Sequence, residues 1–265
     1  MILPSASPVT WLLAVAAAVA YVIPALAAKP LGETASRNAL LVAWLLHAAV
    51  LVWGLWGELP QFGFAPALSM TAWLVLTVYA VERQLFPQRR SRWKLASLGA
   101  VAVVLALVFP GQPLQVSASG WLPLHLALGI ACYGLFAAAV VHAWLMTRAE
   151  QHIRLAEDTL SGIPLLTLER LTFRFVTAGF VLLTATLVAG LVFGETLYGR
   201  AWRWDHKAVF SVLSWLTFAT LLLGRARFGW RGRSAVRVLY AGASLLMLAY
   251  VGSRFVLEVI LGRAA

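Results

Sequence analysis

Apolar runs of about twenty residues alternate with short polar connections along almost the whole chain. A run of that length is what a helix needs to cross the hydrocarbon core of a bilayer. Eight such runs are predicted, at residues 8–28, 39–57, 66–82, 95–110, 121–146, 173–194, 208–223 and 238–260. Gly63, Pro66 and Glu82 blur the limits of the third, and the fourth is short, ending at Pro110. The fifth is long enough to rise about 39 Å, so it must tilt or project beyond the membrane. The only long polar stretch, 147–172, carries Glu150, Arg154, Glu157 and Asp158 and reads as a solvated helical hairpin closed near Gly162-Ile163-Pro164. The predicted fold is all-α and polytopic, a single transmembrane domain over 1–265.

Composition agrees with the pattern. Of the 265 residues 62% are hydrophobic and only 12% charged, against about 25% charged in a soluble domain, and the mean hydropathy is +0.84. The net charge of +11 raises nucleic acid as a partner, but the basic residues are scattered over loops between apolar runs, so no nucleic-acid partner is expected. The single cysteine, Cys132, lies inside an apolar run, which excludes an internal disulfide and a CxxC redox pair. No Lys or Arg precedes Lys29, so the first run is expected to remain a spanning helix rather than act as a signal peptide.

The loops alternate in charge. Those after the first, third, fifth and seventh runs hold Lys29 and Arg37; Arg83, Arg89, Arg90, Arg92 and Lys94; Arg148, Arg154, Arg170 and Arg174; and Arg225, Arg227, Arg231, Arg233 and Arg237. Together these are 16 of the 21 basic residues. Arg200, Arg203, Lys207, Arg254 and Arg263 fall on the other side. The positive-inside rule then makes the first set of loops cytoplasmic and puts both termini outside. Several of the 12 tryptophans, Trp11, Trp56, Trp93 and Trp121 among them, sit near run ends as an interfacial belt would.

Candidate chemistry gathers at the outer face. Trp202-Arg203-Trp204-Asp205-His206-Lys207 puts two indoles, an acid and an imidazole in the loop before the seventh run, and His125 lies four residues in from Trp121 on the same face. Two imidazoles with aromatic residues between them suit axial ligation of haem iron, and Lys207, Arg203 or Arg200 suits the propionates. Interfacial histidines equally well bond water, headgroups or backbone. Asp205 with Lys207 also reads as an N-cap and charge pair. His47, near the middle of the second run, is an ionisable group at bilayer depth and so a functional candidate, with a hydrogen bond to a neighbouring helix as the alternative. His142, about 25 Å along the fifth helix from His125, and His152 are expected to have no ligand role. Arg254 and Glu258, spaced i,i+4, are expected to pair with each other on the helix surface, with a reach to the outer site as the alternative. GxSxG, HExxH and P-loop signatures are absent from the sequence.

The C-terminal half resembles the CcsA/YpjD/HemX family of cytochrome c assembly proteins. The likeness runs through His125, Ala127-Leu128-Gly129-Ile130-Ala131-Cys132-Tyr133, Leu168-Glu169-Arg170, Trp202-x-Trp204-Asp205-x-Lys207, Ser214-Trp215, Gly229-Trp230-Arg231-Gly232-Arg233 and Leu248-Ala249-Tyr250-x-Gly252-Ser253-Arg254. Residues 121–260 form this assembly-like core, while 1–110 match only in hydropathy and in His47, and the compact layout is most similar to the YpjD branch. The resemblance implies a protein of the bacterial inner membrane that holds haem beneath the tryptophan-rich outer loop, with an apocytochrome c or other biogenesis proteins as partners besides the lipid bilayer. On it, His125 matches the histidine before the loop, Trp202, Trp204 and Asp205 match the loop, and His47 matches the histidine within the membrane.

Two departures from the family pattern bear on the site. The synthase loop continues W-D-P-K-E, whereas here His206 and Ala208 replace the proline and the glutamate. Synthases also carry a second flanking histidine after the loop, and no histidine follows His206 in this sequence. His206 is therefore expected to take the second axial place beside His125. The expected function is haem handling of the cytochrome c biogenesis type. The alternative is a haem-free regulatory scaffold that acts on another membrane protein or on tetrapyrrole synthesis through 147–172 and Arg225–Arg237. A solute transporter is disfavoured for want of midplane charge and paired broken helices.

Overall fold

The computed structural model describes residues 8–56, 61–85, 96–113, 121–154, 164–195 and 204–261. Among them, seven helical segments are long and apolar enough to cross a membrane: Pro8–Leu26, Thr34–Leu55, Phe64–Glu82, Leu122–Gln151, Leu165–Val192, His206–Phe228 and Gly232–Ile260. The fourth predicted run is helical too, but at Ala96–Val108 it has only 13 residues. The chain is an all-α polytopic membrane protein, with contacts that divide it into two compact units. One comprises 1–85, 91–115 and 254–265, and the other 86–90 and 116–253.

In the first unit, helix α1 (Pro8–Trp56) holds the first two spans. In a straight helix Tyr21 and His47 would be about 39 Å apart, yet the Tyr21 hydroxyl and His47 Nδ1 are 3.1 Å apart. The helix must double back between them. It does so at Gly32, whose φ of 74° is a left-handed conformation that glycine adopts without a steric cost. Helices α2 (Phe64–Leu85) and α3 (Ala96–Val108) pack against α1 through small side chains. Ala14, Ala17 and Ala20 are buried with Tyr21, Ala43, Leu76 and Val103. Small residues at the contact let helix backbones approach where lipid supplies no hydrophobic drive. A two-residue strand pair, β1 (Gln61–Phe62) with β2 (Gln112–Pro113), runs antiparallel beside α2 and α3.

In the second unit, α4 (Leu122–Arg154), α5 (Leu165–Val192), α6 (His206–Phe228) and α7 (Gly232–Met247) form the bundle. After Met247 the last helix continues through π turns at Leu248–Gly252 and Val256–Ile260, the second of them in the first unit. At the centre of the bundle the rings of Phe136 and Phe218 stack 3.8 Å apart with 7° between their planes. Glycines clamp the stack on both sides. A Cβ at Gly179 of α5 would lie 3.1 Å from Phe136, and one at Gly242 of α7 would lie 2.9 Å from Phe218. Four helices thus meet in one layered contact. Ser214 donates to Gly242 O at 2.9 Å and Trp215 Nε1 to Thr184 Oγ1 at 2.9 Å, which fixes α6 on its neighbours.

Helix ends differ from the hydropathic limits for a plain reason. α5 begins eight residues before its apolar run and α7 six before its own, because polar turns carrying Glu169 and Arg170, or Arg233 and Arg237, are helical without being apolar. Residues 147–154 continue α4, whereas Glu157, Asp158 and the expected hairpin tip at Gly162-Ile163 lie outside the described residues.

Candidate functional site

The start of α6 is built as the sequence suggests. Asp205 has extended backbone and its carboxylate accepts from the Ala208 N–H at 2.9 Å, capping the helix. His206 and Lys207 are therefore the first two helical residues, both exposed. Trp204 is 70% exposed. Trp202, Arg203 and Arg200 lie outside the described residues. His125 stands one turn into α4, its N–H donating to Trp121 O at 3.0 Å. It is half-buried, with Nδ1 screened from solvent. Lys207 is close enough for its charge to act on His125, and its Nζ lies 5.5 Å from the centroid of the Tyr250 ring.

Helix direction brings His125 and His206 to one level of this unit. α4 runs antiparallel to α5, as Cys132–Gly179 and His142–Phe175 contacts require. α5 runs antiparallel to α6, as Trp215–Thr184 and Arg225–Glu169 require. α4 and α6 are thus parallel, and Phe136 and Phe218 mark the same depth. His125 is eleven residues above Phe136 and His206 twelve above Phe218, rises of about 16 and 18 Å. One end of the bundle therefore carries two imidazoles, a lysine, a tyrosine and an exposed indole.

His47, in the first unit, sits in a different environment. It is fully buried, with Nδ1 3.1 Å from the Tyr21 hydroxyl and Nε2 2.8 Å from Ser69 Oγ. A neutral imidazole has one donor and one acceptor nitrogen, so one hydroxyl donates to the ring and the other accepts from it. Beside this node, Trp44 and Trp73 stack with centroids 4.9 Å apart. Trp44 Nε1 donates to Thr77 Oγ1 at 2.8 Å and Trp73 Nε1 to Trp44 O at 3.1 Å. Sequence reasoning picked out His47 but none of its partners. The signal was present as a tyrosine and a serine inside apolar runs.

The remaining polar groups fall elsewhere. At the other end of the second unit Glu169 accepts from Arg225 at 2.8 Å, with Arg231 at 3.6 Å, while the Arg225 guanidinium lies 3.6 Å from the Phe173 ring centroid. His142, buried at that end, donates from Nδ1 to Ala138 O at 2.7 Å. The side chain of His152 lies outside the described residues. In the first unit Arg254 and Glu258 pair at 3.8 Å, as their spacing predicts. The Glu258 carboxylate also rests against Gly63, where a Cβ would come within 2.8 Å of it. Among the described residues no group of three or more His, Cys, Asp or Glu side chains could hold a metal ion.

Comparison with known proteins places these features. Residues 12–261 match the family described as cytochrome C assembly protein. An uncharacterized 28.8 kDa protein in the nifR3-like 5′ region of Azospirillum brasilense is 35% identical over 185 residues, 65% of this chain and 68% of that protein. The cytochrome c biogenesis protein CcsA of Synechococcus sp. (strain CC9605) is 27% identical over 250 residues, 82% of each chain. The inner membrane protein YpjD of Escherichia coli (strain K12) is 28% identical over 199 residues, 72% of this chain and 73% of that protein. No solved structure matches. With a match that spans nearly its whole length, this multi-pass membrane protein belongs to the cytochrome c assembly protein family.

Proposed function

We propose that this protein handles haem for cytochrome c biogenesis in a bacterial inner membrane, and that it holds the haem at the end of the second unit where His125 and His206 lie. The observation that carries the proposal is the common level of these two imidazoles on parallel helices, with Lys207 next to His206 at the start of α6. The donor set fits haem. Two neutral imidazoles can ligate haem iron from its two faces, an exposed indole offers a stacking face, and a lysine at a helix start offers a propionate partner. Bound haem would supply an iron to be kept ligated and vinyl groups for thioether formation on an apocytochrome c. His125 and His206 would hold the iron, Trp202 and Trp204 would cover the macrocycle, and Lys207 would neutralise a propionate. Asp205 fixes the direction of the α6 start, which sets where His206 and Lys207 point. His47 enters as a further candidate, but for it to bind iron, Tyr21 or Ser69 must let go of a ring nitrogen.

Names of two relatives, a cytochrome c biogenesis protein and an inner membrane protein, support the reaction class and the membrane. The test is the absorption spectrum of the purified His206→Ala protein, with and without added imidazole. A low-spin spectrum that is lost in the variant and restored by imidazole is expected. An unchanged low-spin spectrum refutes the assignment of His206, and the same comparison on His125→Ala tests the other side.

A further inference from the structure

The last helix departs from α geometry at a residue that faces the proposed site. The turn Leu248–Gly252 is a π turn, in which Ser253 N–H reaches back five residues to Leu248 O. Such turns are rare, and they arise where something intrudes on the helical ladder. The intruder is on α4. The Tyr133 hydroxyl donates to Leu246 O, and it is also in hydrogen-bond contact with the Tyr250 backbone N–H. In an unbroken α-helix Leu246 O and Tyr250 N–H would be bonded to each other, four residues apart. A phenol from a neighbouring helix stands at both groups.

We infer that Tyr133 is a wedge that opens the last helix and thereby sets Tyr250 against Lys207, which makes it a positioning residue for the outer site. The role in haem holding rests on the function proposed above, whereas the wedge itself does not. A π turn inserts one extra residue, which rotates the rest of the helix by about 100° relative to an α continuation. Tyr250 lies inside the turn and Lys207 Nζ sits over its ring. Closing the turn therefore carries the Tyr250 ring away from Lys207 and changes where that cation sits at the start of α6. Tyr133 and His125 share helix α4, two turns apart, so one rigid element carries both the wedge and the imidazole.

The experiment has two arms on the full chain. The first introduces Lys207→Cys and Tyr250→Cys in a Cys132→Ser background and measures bridging by dibromobimane, which fluoresces when it joins two thiols. With Tyr133→Phe added, bridging is expected to slow roughly tenfold, the equivalent of one lost hydrogen bond. An unchanged rate overturns the wedge. Should the Phe variant fail to accumulate, Tyr133→Met removes the hydroxyl while filling the space flexibly. The second arm takes Tyr133→Phe alone and measures the reduction potential of bound haem. A shifted potential with haem content retained is expected, and slower bridging with an unchanged potential overturns the positioning role. Wild-type protein without haem defeats the proposed function but leaves the bridging arm to decide the wedge.

Discussion

Replacing His47 by leucine tests how the membrane-depth node in the first unit is held. The substitution removes the ring that joins the Tyr21 hydroxyl to Ser69 Oγ. Ser69 can recover by bonding the carbonyl four residues back on its own helix, as short hydroxyl side chains do. Tyr21 cannot, because its hydroxyl is at the end of a rigid ring that is fully buried and too far from its own backbone. The cost therefore falls mainly on one stranded hydroxyl, about 1–3 kcal/mol, with interhelical hydrogen bonds in membranes averaging about 0.6 kcal/mol. A loss of about 2 kcal/mol is expected for His47→Leu. Removing the stranded hydroxyl as well should recover part of that loss, since replacing both partners of a buried hydrogen bond by apolar groups is nearly neutral. Tyr21→Phe/His47→Leu is thus expected to be about 1 kcal/mol more stable than His47→Leu alone. The assay is unfolding in mixed micelles with rising SDS, read by tryptophan fluorescence, for which the stacked Trp44 and Trp73 beside the node are natural reporters. A double variant less stable than His47→Leu alone would falsify this account of the node. Haem content of the folded His47→Leu protein adds the functional reading: retention leaves His47 structural, and loss makes it a ligand or its support.

The second unit supplies further expectations. Phe218→Ala opens a cavity of roughly 100 Å³ beside Phe136; at about 24 cal/mol per Å³ the cavity alone contributes about 2.4 kcal/mol, within a total of about 3–5 kcal/mol for loss of a buried phenylalanine ring. Gly242→Val overpacks the same contact from the other side and should cost about 1–3 kcal/mol; unfolding in mixed micelles reads both, and a neutral effect of either contradicts the clamped stack. Glu169→Gln leaves Arg225 and Arg231 without their shared carboxylate, and a loss of about 1–2 kcal/mol is expected at low salt, shrinking as salt rises. Asp205→Ala removes the α6 cap and should cost about 1 kcal/mol, while Asp205→Asn, which also caps well, should keep most of it. If haem retention tracks the cap in this pair, the direction of the α6 start matters to the site.

Much of the fold was legible because a bilayer imposes a single demand, about twenty apolar residues per crossing. Hydropathy finds that length directly, so the runs at 8–28, 39–57 and 208–223 correspond to helices. It does not find polar helical turns, which is why α5 and α7 extend beyond their runs. The Asp205 cap and the Arg254–Glu258 pair were legible for a local reason, since both depend on spacings of three or four residues. The Phe136–Phe218 stack, the glycines that clamp it and the Tyr133 wedge were not. Each needs the relative register of different helices, which periodicity within one helix does not contain. The partners of His47 were hidden differently, because a tyrosine and a serine hardly disturb a hydropathy profile. The level shared by His125 and His206 was approached from the charge of the loops, and the structure reaches it independently through helix pairing about the aromatic stack.

The central claim is that this family member holds haem, and the pyridine haemochrome spectrum of the detergent-purified wild-type protein, expressed with excess haem precursor, tests it most directly. The account predicts about one haem per chain, with a low-spin spectrum before pyridine is added. Protein that is folded and free of haem under those conditions contradicts it.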